Sequence, residues 1–293
     1  MATAPKCKLT AIIAEKKRVG VIFRRGPTKQ VRLIKWDLAN DTFQFGQWFK
    51  GRIYEDLCDL SPKGELLVTY ATKTSMEYWT AVSRPPYLTA LALWPISGAD
   101  IGGGIFRSER ELVLHHAASE RGLKEGFQTP PIRVVFEEPT WNAELREARS
   151  VGLLREKYGW RLIDPGEESE TPYRDEGKIS NRFRRPRVTH KTNGLAGKRA
   201  AVLVQELLGY SEAQGDHKVL SFHVDNQNGT KIEIGRAQWA DWDHNGDLLF
   251  SRNGALTRVS WKTGYDLDAA QRLADFSDQR FEALEPPTWA LKW

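Results

Sequence analysis

One stretch near the C-terminus, ADWDHNGDLLFSR, has the residue types of a calcium-binding loop. Its oxygen-bearing side chains alternate along the chain and belong to Asp241, Asp243, Asn245 and Asp247. An EF-hand loop needs a bidentate carboxylate at its twelfth position, but the twelfth residue counted from Asp241 is Arg252. The run that follows the glycine is typical of a strand. We therefore predict a hairpin turn, with Gly246 at positive φ, and no metal or cofactor.

The segment 178–199 could bind anions. It contains eight Lys or Arg residues and no acid. The candidate polyanion-binding residues are Lys178, Arg182, Phe183, Arg184, Arg185, Arg187 and Lys191. Guanidinium groups donate paired hydrogen bonds to phosphate, and an aromatic ring offers a stacking face. Three interpretations stay open: a solvated loop paired with Glu167, Glu168 or Glu170, a surface for an acidic protein, or a nucleic-acid site that works by counterion release.

Other catalytic signatures are weak. The run GLAGKR at 194–199 fails the phosphate-loop pattern because Arg199 follows the lysine. The six histidines have no metal-ligand spacing, and the adjacent pair His115 and His116 would point to opposite faces of a strand. Carboxylates are plentiful, so a hydrolase with a catalytic carboxylate pair stays open. The sequence favours a non-catalytic protein.

Composition indicates a soluble globular chain. The protein has 293 residues, 40% hydrophobic and 28% charged, with a net charge of +5. No apolar run approaches the ~18 residues of a membrane-spanning helix. Cys7 and Cys58 are the only cysteines, which is typical of reduced thiols. We expect a cytoplasmic protein without a membrane anchor, of open oligomeric state.

The opening stretch has a relative elsewhere in the chain. CDLSPKGELLVTY at 58–70 aligns with it without a gap, so that Gly64 matches Gly246. AEKKRVGVIFRRG at 14–26 is a third, weaker relative. Each is typical of a strand end, a tight turn and a second strand. Recurrence of such units indicates a repeat architecture.

A family resemblance follows from these repeats. VRLIKWDLANDTFQFG, in which Trp36 and Asp37 close a strand, resembles the blade end of WD40-type β-propellers. SPKGELLVTYA and LTRVSWKTG are similar to the turn and outer strand of TolB-type propellers. The resemblance implies a mainly β, propeller-like fold, in which residues 8–14 close the ring against C-terminal strands. Propellers host many functions, so the expected role is a scaffold that binds a protein partner through loops at one face.

Two tryptophans beside the opening turn are the candidate partner-binding residues. Trp239 and Trp242 flank the turn, and partly exposed aromatic side chains there would suit a protein interface. Nucleic acid, bound through 178–199, is the alternative partner.

The middle of the chain has a different pattern. Residues 108–126 have capping-box spacing at Ser108 and Glu111, which favours a helix over a strand. Residues 142–159 predict a helix capped by Asn142, and 199–209 fit either a helix or a buried strand. The region should therefore carry helical insertions within one closed domain. We divide the chain into N-terminal blades (1–106), a divergent region with helical insertions and a basic loop (107–210), and C-terminal blades (211–293).

Overall fold

The computed structural model describes residues 7–26, 29–74, 77–97, 102–145, 147–169, 181–211, 217–226 and 229–293. The fold is mainly β and built largely of antiparallel sheets, with one α-helix among these residues. The chain divides into two compact units, Met1–Leu154 with Phe276–Trp293, and Arg155–Asp275. The boundaries predicted at 106 and 210 stay predictions.

The first unit begins with an antiparallel four-stranded meander. Its strands, in spatial order, are β1 (Lys8–Ile13), β2 (Val19–Arg25), β3 (Gln30–Asp37) and β4 (Thr42–Lys50). The β3–β4 turn follows the predicted hairpin, and the indole N–H of Trp36 donates to Asp41 at 3.0 Å. The expectation that 8–14 pairs with C-terminal strands is wrong, because β1 pairs with β2 along its whole length. A contiguous partner costs less loop-closure entropy than a distant one.

A second sheet follows in the same unit. Its strands are β5 (Arg52–Ile53), β6 (Asp59–Leu60), β7 (Leu67–Thr74), β8 (Glu77–Ser83) and β9 (Ala90–Ile96). Apolar side chains of the two sheets form a joint core in which Phe23 and Leu33 pack with Leu67. β2 and β3 are buried along most of their length because both faces of the sheet are covered.

The middle of the chain is less helical than expected. The elements there are β10 (Gly104–Ser108), β11 (Glu111–His115), β12 (Arg133–Glu137), β13 (Trp141–Asn142), β14 (Glu147–Ala148) and α1 (Arg149–Lys157). The helix predicted at 108–126 is wrong: Leu112 and Leu114 enter the core on one face of β11 while Val113 is buried on the other. The helix predicted at 142–159 begins only at Arg149, and the Asn142 side chain instead accepts the Leu145 N–H in a turn.

The second unit contains the basic segment. Its first sheet comprises β15 (Arg161–Asp164), β16 (Glu167–Glu168), β17 (Asn181–Thr192), β18 (Ala201–Ser211), β19 (His217–Asn226) and β20 (Lys231–Arg236). Most of the predicted basic loop is therefore strand β17, paired with β18 on one side. Of residues 199–209, those from Ala201 onward belong to strand β18 rather than to a helix, and side chains such as Leu203 fill the core. The predicted insertions thus reduce to α1 among the described residues.

A second four-stranded meander completes this unit. It contains β21 (Trp239–Trp242), β22 (Leu248–Arg252), β23 (Ala255–Val259) and β24 (Gln271–Asp275). Its core combines Leu248 and Val259 with Phe222 and Val224 of the preceding sheet. The hairpins predicted at 58–70 and at 240–252 are both confirmed.

Candidate interaction surfaces

The carboxylates of the calcium-like turn have partners within the protein. Asp241 forms an ion pair with Lys191, and the Arg258 guanidinium contacts Asp243 and Asp247. Asp243 also accepts the backbone N–H groups of Asn245 (2.7 Å) and Asp247 (3.1 Å). In the part of the chain that the structure describes, no group of three or more His, Cys, Asp or Glu side chains could hold a metal ion. The charged side chains of the turn form ion pairs with residues of neighbouring strands.

A buried polar network extends from this turn. Asn193 donates through Nδ2 to the Tyr265 hydroxyl at 2.7 Å, and that hydroxyl donates to the Gly246 carbonyl at 3.1 Å. Burial raises the pKa of Tyr265 to about 12. Trp242 packs against Tyr265 and donates its indole N–H to the Lys191 carbonyl at 2.9 Å.

The candidate partner-binding tryptophans therefore differ. Trp242 is buried, so the structure corrects its expected place at an exposed interface: its hydrogen bond and its ring contact both point inward. Trp239 begins β21 and is half-buried. Neither residue is among the exposed large hydrophobic side chains of the described residues.

The residues of the basic segment are divided between interior and surface. Phe183 and Arg187 are buried, with the Arg187 guanidinium 5.5 Å from the Phe183 ring and its Nε donating to the Pro165 carbonyl at 3.3 Å. The Lys191 ammonium forms an ion pair with Asp241. These three residues act within the fold, which corrects their prediction as an exposed anion site. Lys178 lies outside the described residues.

Arg182, Arg184 and Arg185 remain on the surface. Arg185 contacts Asp164, whose pKa is lowered by a hydrogen bond from the Gly166 N–H and by this arginine. The side chain of Arg184 is 78% exposed and approaches Glu167 only to 3.5 Å. Arg185 therefore forms a close ion pair with Asp164, whereas the ion pair between Arg184 and Glu167 is long.

The structure adds two arginines that the sequence did not single out. Arg236 ends β20 and Arg252 ends β22, and Arg252 donates to the carbonyls of Arg236 (2.9 Å, from Nε) and Ile234. Strand register brings Arg236 to the end of the sheet where Arg182 begins β17. We call Arg182, Arg184, Arg236 and Arg252 the basic end. No local sequence signal identifies Arg236 or Arg252, since each is an isolated cation at a strand terminus.

The first unit has an aromatic surface where its C-terminal segment, 276–293, lies on the first two sheets. Two hydrogen bonds from Arg24 fix the start of the segment, through Nε to the Phe276 carbonyl (3.0 Å) and through Nη2 to the Ser277 carbonyl (2.8 Å). Phe276 is buried, with its ring edge-on to Phe43 and Phe45. The segment is thereby anchored to the meander of β1–β4.

Further along, the segment borders β4. Arg32 lies over the rings of Phe45 and Trp48, and Trp48 contacts Phe281. The Lys50 ammonium lies 4.0 Å from the centre of the Phe281 ring. These contacts form a continuous row of rings and cations across strand and segment.

Gln47 fastens the neighbouring part of the segment. Its Nε2 donates to the Leu284 carbonyl at 3.1 Å, and its Oε1 accepts the Leu88 N–H at 2.8 Å. Beyond it, Trp289 packs edge-on against Tyr87.

We define the aromatic surface as the partly exposed rings of Phe45, Trp48, Phe281 and Trp289; Tyr87, which Trp289 contacts, is itself buried. Phe45 is 45% exposed, Phe281 42% and Trp289 50%. No residue of this surface was predicted from the sequence to bind a partner. The available signal was the C-terminal stretch RFEALEPPTWALKW, in which large apolar residues flank two prolines and belong to no strand-like run.

Two buried groups with catalytic side-chain types have structural partners. His116 lies between the Thr80 hydroxyl (2.9 Å from Nε2) and the Glu120 carbonyl (3.0 Å from Nδ1), and burial lowers its pKa to about 4. Asp59 is fully buried and accepts the Phe106 N–H at 2.6 Å. Both groups hold backbone segments of the first unit together.

Comparisons with known proteins do not identify a family for this chain. No protein-family model matches the chain, and no curated protein matches its sequence. A solved structure, that of the uncharacterized protein lmo1340 from Listeria monocytogenes EGD-e, is similar with a TM-score of 0.41 and 8% identity, over 96% of this chain and 98% of that one. Similarity at that level carries no argument about this chain. Among the described residues, no helix has the length and apolar character to cross a membrane.

Proposed function

We propose that this protein is a non-catalytic, propeller-like interaction module of the cytoplasm that binds a protein partner through its aromatic surface. The observation that carries the proposal is a set of partly exposed rings on β4 and the C-terminal segment. Phe45 and Phe281 are linked through Arg32 and Trp48, and Trp289 lies further along the same segment. Contiguous exposed aromatic side chains on a folded protein mark interaction sites, and aromatic residues are enriched at the centres of interfaces.

The anchoring of these rings supports a preorganised site. Arg24 and Gln47 hold the backbone of the segment, and Arg32 is fixed between two rings and hydrogen-bonded to the Gly46 carbonyl at 3.2 Å. Rings held in place before binding lose little conformational entropy on association. Lys50 and Glu282 supply a charged rim of mixed sign around the rings, so the fitting partner offers an apolar patch with its own polar border.

The propeller-like arrangement is supported by repetition. Two four-stranded antiparallel meanders, β1–β4 and β21–β24, have the strand order of propeller blades. The turns at Gly64 and Gly246 recur at aligned positions and both have positive φ. In such folds the partner-binding residues lie on surfaces grafted onto the scaffold, which fits a surface formed partly by the C-terminal segment.

The test uses substitutions that remove rings without touching the core. Wild-type protein and the Phe281→Ser, Trp289→Ser double variant are compared in affinity capture, and captured proteins are then purified and titrated against both. Loss of central aromatic side chains costs about 2 kcal/mol or more, about thirty-fold in Kd. Trp141→Ser is the matched control, because Trp141 is 54% exposed in the same unit but outside the surface.

The outcomes are distinct. Selective loss of a partner in the double variant, with retention in Trp141→Ser, supports the proposal. Equal binding by all three proteins contradicts it. Hydrolysis of a glycoside or ester substrate by the purified protein, abolished by replacing a carboxylate, would replace it with the hydrolase alternative.

A further inference from the structure

We propose that the protein forms a two-fold dimer in which strand β15 (Arg161–Asp164) pairs antiparallel with β15 of a second copy. This goes beyond the proposed function, because it concerns the second unit and a copy of the same chain. It rests on three observations: β15 lies at the edge of its sheet, it exposes apolar side chains, and its four residues are complementary to themselves.

Strand β15 is open along one side. In the described residues it pairs with β17 alone, and the register runs from Arg161 opposite His190 to Asp164 opposite Val188. That register skips Ile163, which has no opposite residue on β17. An edge strand presents backbone N–H and C=O groups that another strand can pair with. The outer edge of β15 can therefore accept a further strand.

The exposed side chains distinguish β15 from other edge strands of this unit. Leu162 is 46% exposed and Ile163 is 56% exposed. On β20 and β24, two further edge strands, the exposed residues are charged or polar: Lys231, Glu233, Arg236, Gln271, Arg272 and Asp275. Charged side chains protect an edge from pairing, whereas apolar ones favour association. The exposed side chains of β15 are therefore those that suit a partner strand.

The sequence of β15 is complementary to itself when two copies run antiparallel. With the two-fold axis between Leu162 and Ile163, these two residues lie opposite each other, and Arg161 of each copy lies opposite Asp164 of the other. Cross-strand pairs of opposite charge and of apolar residues both stabilise a sheet. A parallel pairing in register would instead place like charges together, and an antiparallel pairing shifted by two residues would separate the opposite charges. Only the two-fold arrangement, in which both copies use the same patch, matches all four residues.

Both charged side chains are placed to form these pairs. Arg161 is exposed, and in the part of the chain that the structure describes its side chain forms no ion pair or hydrogen bond. Asp164 accepts the Gly166 N–H through Oδ1 at 2.8 Å and contacts Arg185 through Oδ2, and these contacts fix the carboxylate. A carboxylate has about four acceptor sites, so Asp164 can also accept Arg161 of the second copy.

The flanking residues confine the pairing to four positions. The Trp160 N–H donates to the Arg155 carbonyl at 2.9 Å, which ties this residue to the end of α1. Pro165 follows Asp164 and has no N–H to donate to a neighbouring strand. Four residues a side are few beside the about 20–30 of a stable interface. We therefore expect a weak, reversible dimer that extends the sheet across both copies.

The test measures self-association by sedimentation velocity over a wide range of protein concentration. The sedimentation coefficient of the wild type should rise with concentration. Arg161→Glu and Asp164→Lys should each weaken dimerisation about ten-fold, because each turns the two attractive cross-strand pairs of the dimer into repulsive ones. An equimolar mixture of the two variants should dimerise as the wild type does, since opposite charges again face each other in the mixed dimer.

Matched variants separate the strand from general effects of charge and folding. Arg272→Glu reverses a charge that is 60% exposed on β24 and should dimerise as the wild type does. Arg161→Lys keeps the charge and should do the same. The Leu162→Ser, Ile163→Ser double variant leaves Asp164 and its contacts in place and should abolish the dimer, so the test does not depend on Asp164→Lys alone. A circular-dichroism melt of each variant checks folding.

A wild type that stays monomeric at every concentration would overturn the proposal. So would a dimer that is unchanged in Arg161→Glu and in the double serine variant, or folded charge-reversal variants that fail to associate when mixed. Rescue on mixing would support it, because it requires position 161 of one copy to face position 164 of the other. The Phe281→Ser, Trp289→Ser variant should dimerise as the wild type does, so failure here leaves the protein-partner proposal untouched.

Discussion

The glycine turn of the first unit and that of the second share a backbone but are closed by different side chains. In the first, Gly64 N–H donates to the Ser61 carbonyl at 2.7 Å; in the second, Gly246 N–H donates to the Asp243 carbonyl at 3.0 Å. The Ser61 hydroxyl accepts two backbone N–H groups at 3.1 Å, and one Asp243 oxygen likewise accepts two. Aligned residues therefore perform the same local task.

The difference lies in what each side chain requires from the rest of the unit. Ser61 is neutral, so its side chain needs no charged partner, and the first turn is tied to other segments by hydrogen bonds: Glu109 accepts the Lys63 N–H, and the Pro62 carbonyl accepts the Lys16 N–H. Asp243 is a buried charge and needs Arg258, which reaches it from β23 and also contacts Asp247. Asp247 in turn accepts the Trp261 N–H at 3.1 Å. The first turn therefore needs no buried charge, while the second is joined to β23 through a buried ion pair.

The largest effect should come from giving the second turn the residue of the first. In Asp243→Ser the hydroxyl can still accept the turn amides, but Arg258 loses its ion pair with residue 243. Removing one member of a buried ion pair costs about 3–5 kcal/mol. Urea unfolding and amide exchange in β21 and β22 measure the loss.

Two companion variants sharpen that result. Adding Arg258→Met together with Asp247→Asn to Asp243→Ser should restore much of the stability, because the three charges of this ion-pair group are then removed together. Ser61→Ala should cost only about 1–2 kcal/mol, the loss of one neutral acceptor. A cost of Asp243→Ser no greater than that of Ser61→Ala would contradict the distinction between the two turns.

The shared backbone predicts a second, smaller effect that should be alike in both turns. Gly64 and Gly246 have φ of 75° and 84°, and a residue with a Cβ costs about 1–2 kcal/mol in that region. A Cβ at 64 would lie 3.0 Å from Val19 Cγ1, and one at 246 would lie 2.6 Å from Leu195 Cδ1. Leu195 Cγ would lie 2.9 Å from the same Cβ. Because the Leu195 side chain can move as a whole, we expect Gly64→Ala and Gly246→Ala to raise the free energy of folding by similar amounts.

Urea unfolding of Gly64→Ala and Gly246→Ala, measured in parallel, shows whether the two substitutions cost the same free energy. A cost confined to one of them would show that the turns do not share their backbone requirement. The control is Gly122→Ala, at a glycine with open space around it and no positive φ, which should be near neutral.

These turns were predictable because their signal is local. A Ser or Asp three residues before a glycine, with an apolar run after it, specifies a tight turn within a few residues. The helix predicted at 108–126 used equally local evidence, the spacing of Ser108 and Glu111, and was wrong. There the burial of successive residues on both faces of β11 outweighs a capping pattern.

The candidate sites were less predictable because they depend on non-local contacts. The anion-site prediction found Arg182 and Arg184 from their clustering, but Arg187 and Phe183 point inward because β17 is a strand with alternating faces. Arg236 joins them only through the register of four strands. No window of sequence contains that register.

The smallest predicted effect concerns the Tyr265 hydroxyl, which anchors only the second turn. Tyr265→Phe removes the hydroxyl that donates to the Gly246 carbonyl and accepts from Asn193, and should cost about 1 kcal/mol at neutral pH. The folded-state pKa of about 12 exceeds the unfolded value of about 10. The contribution of the phenol is therefore complete below pH 10 and is lost as the pH rises from 10 towards 12. Wild type should lose up to about 1.4 kcal/mol per pH unit more than Tyr265→Phe across this window, measured by urea unfolding at pH 9, 10 and 11. Stability curves that stay parallel would mean that Tyr265 ionises as it does in the unfolded chain, and that the second turn is anchored by its ion pairs alone.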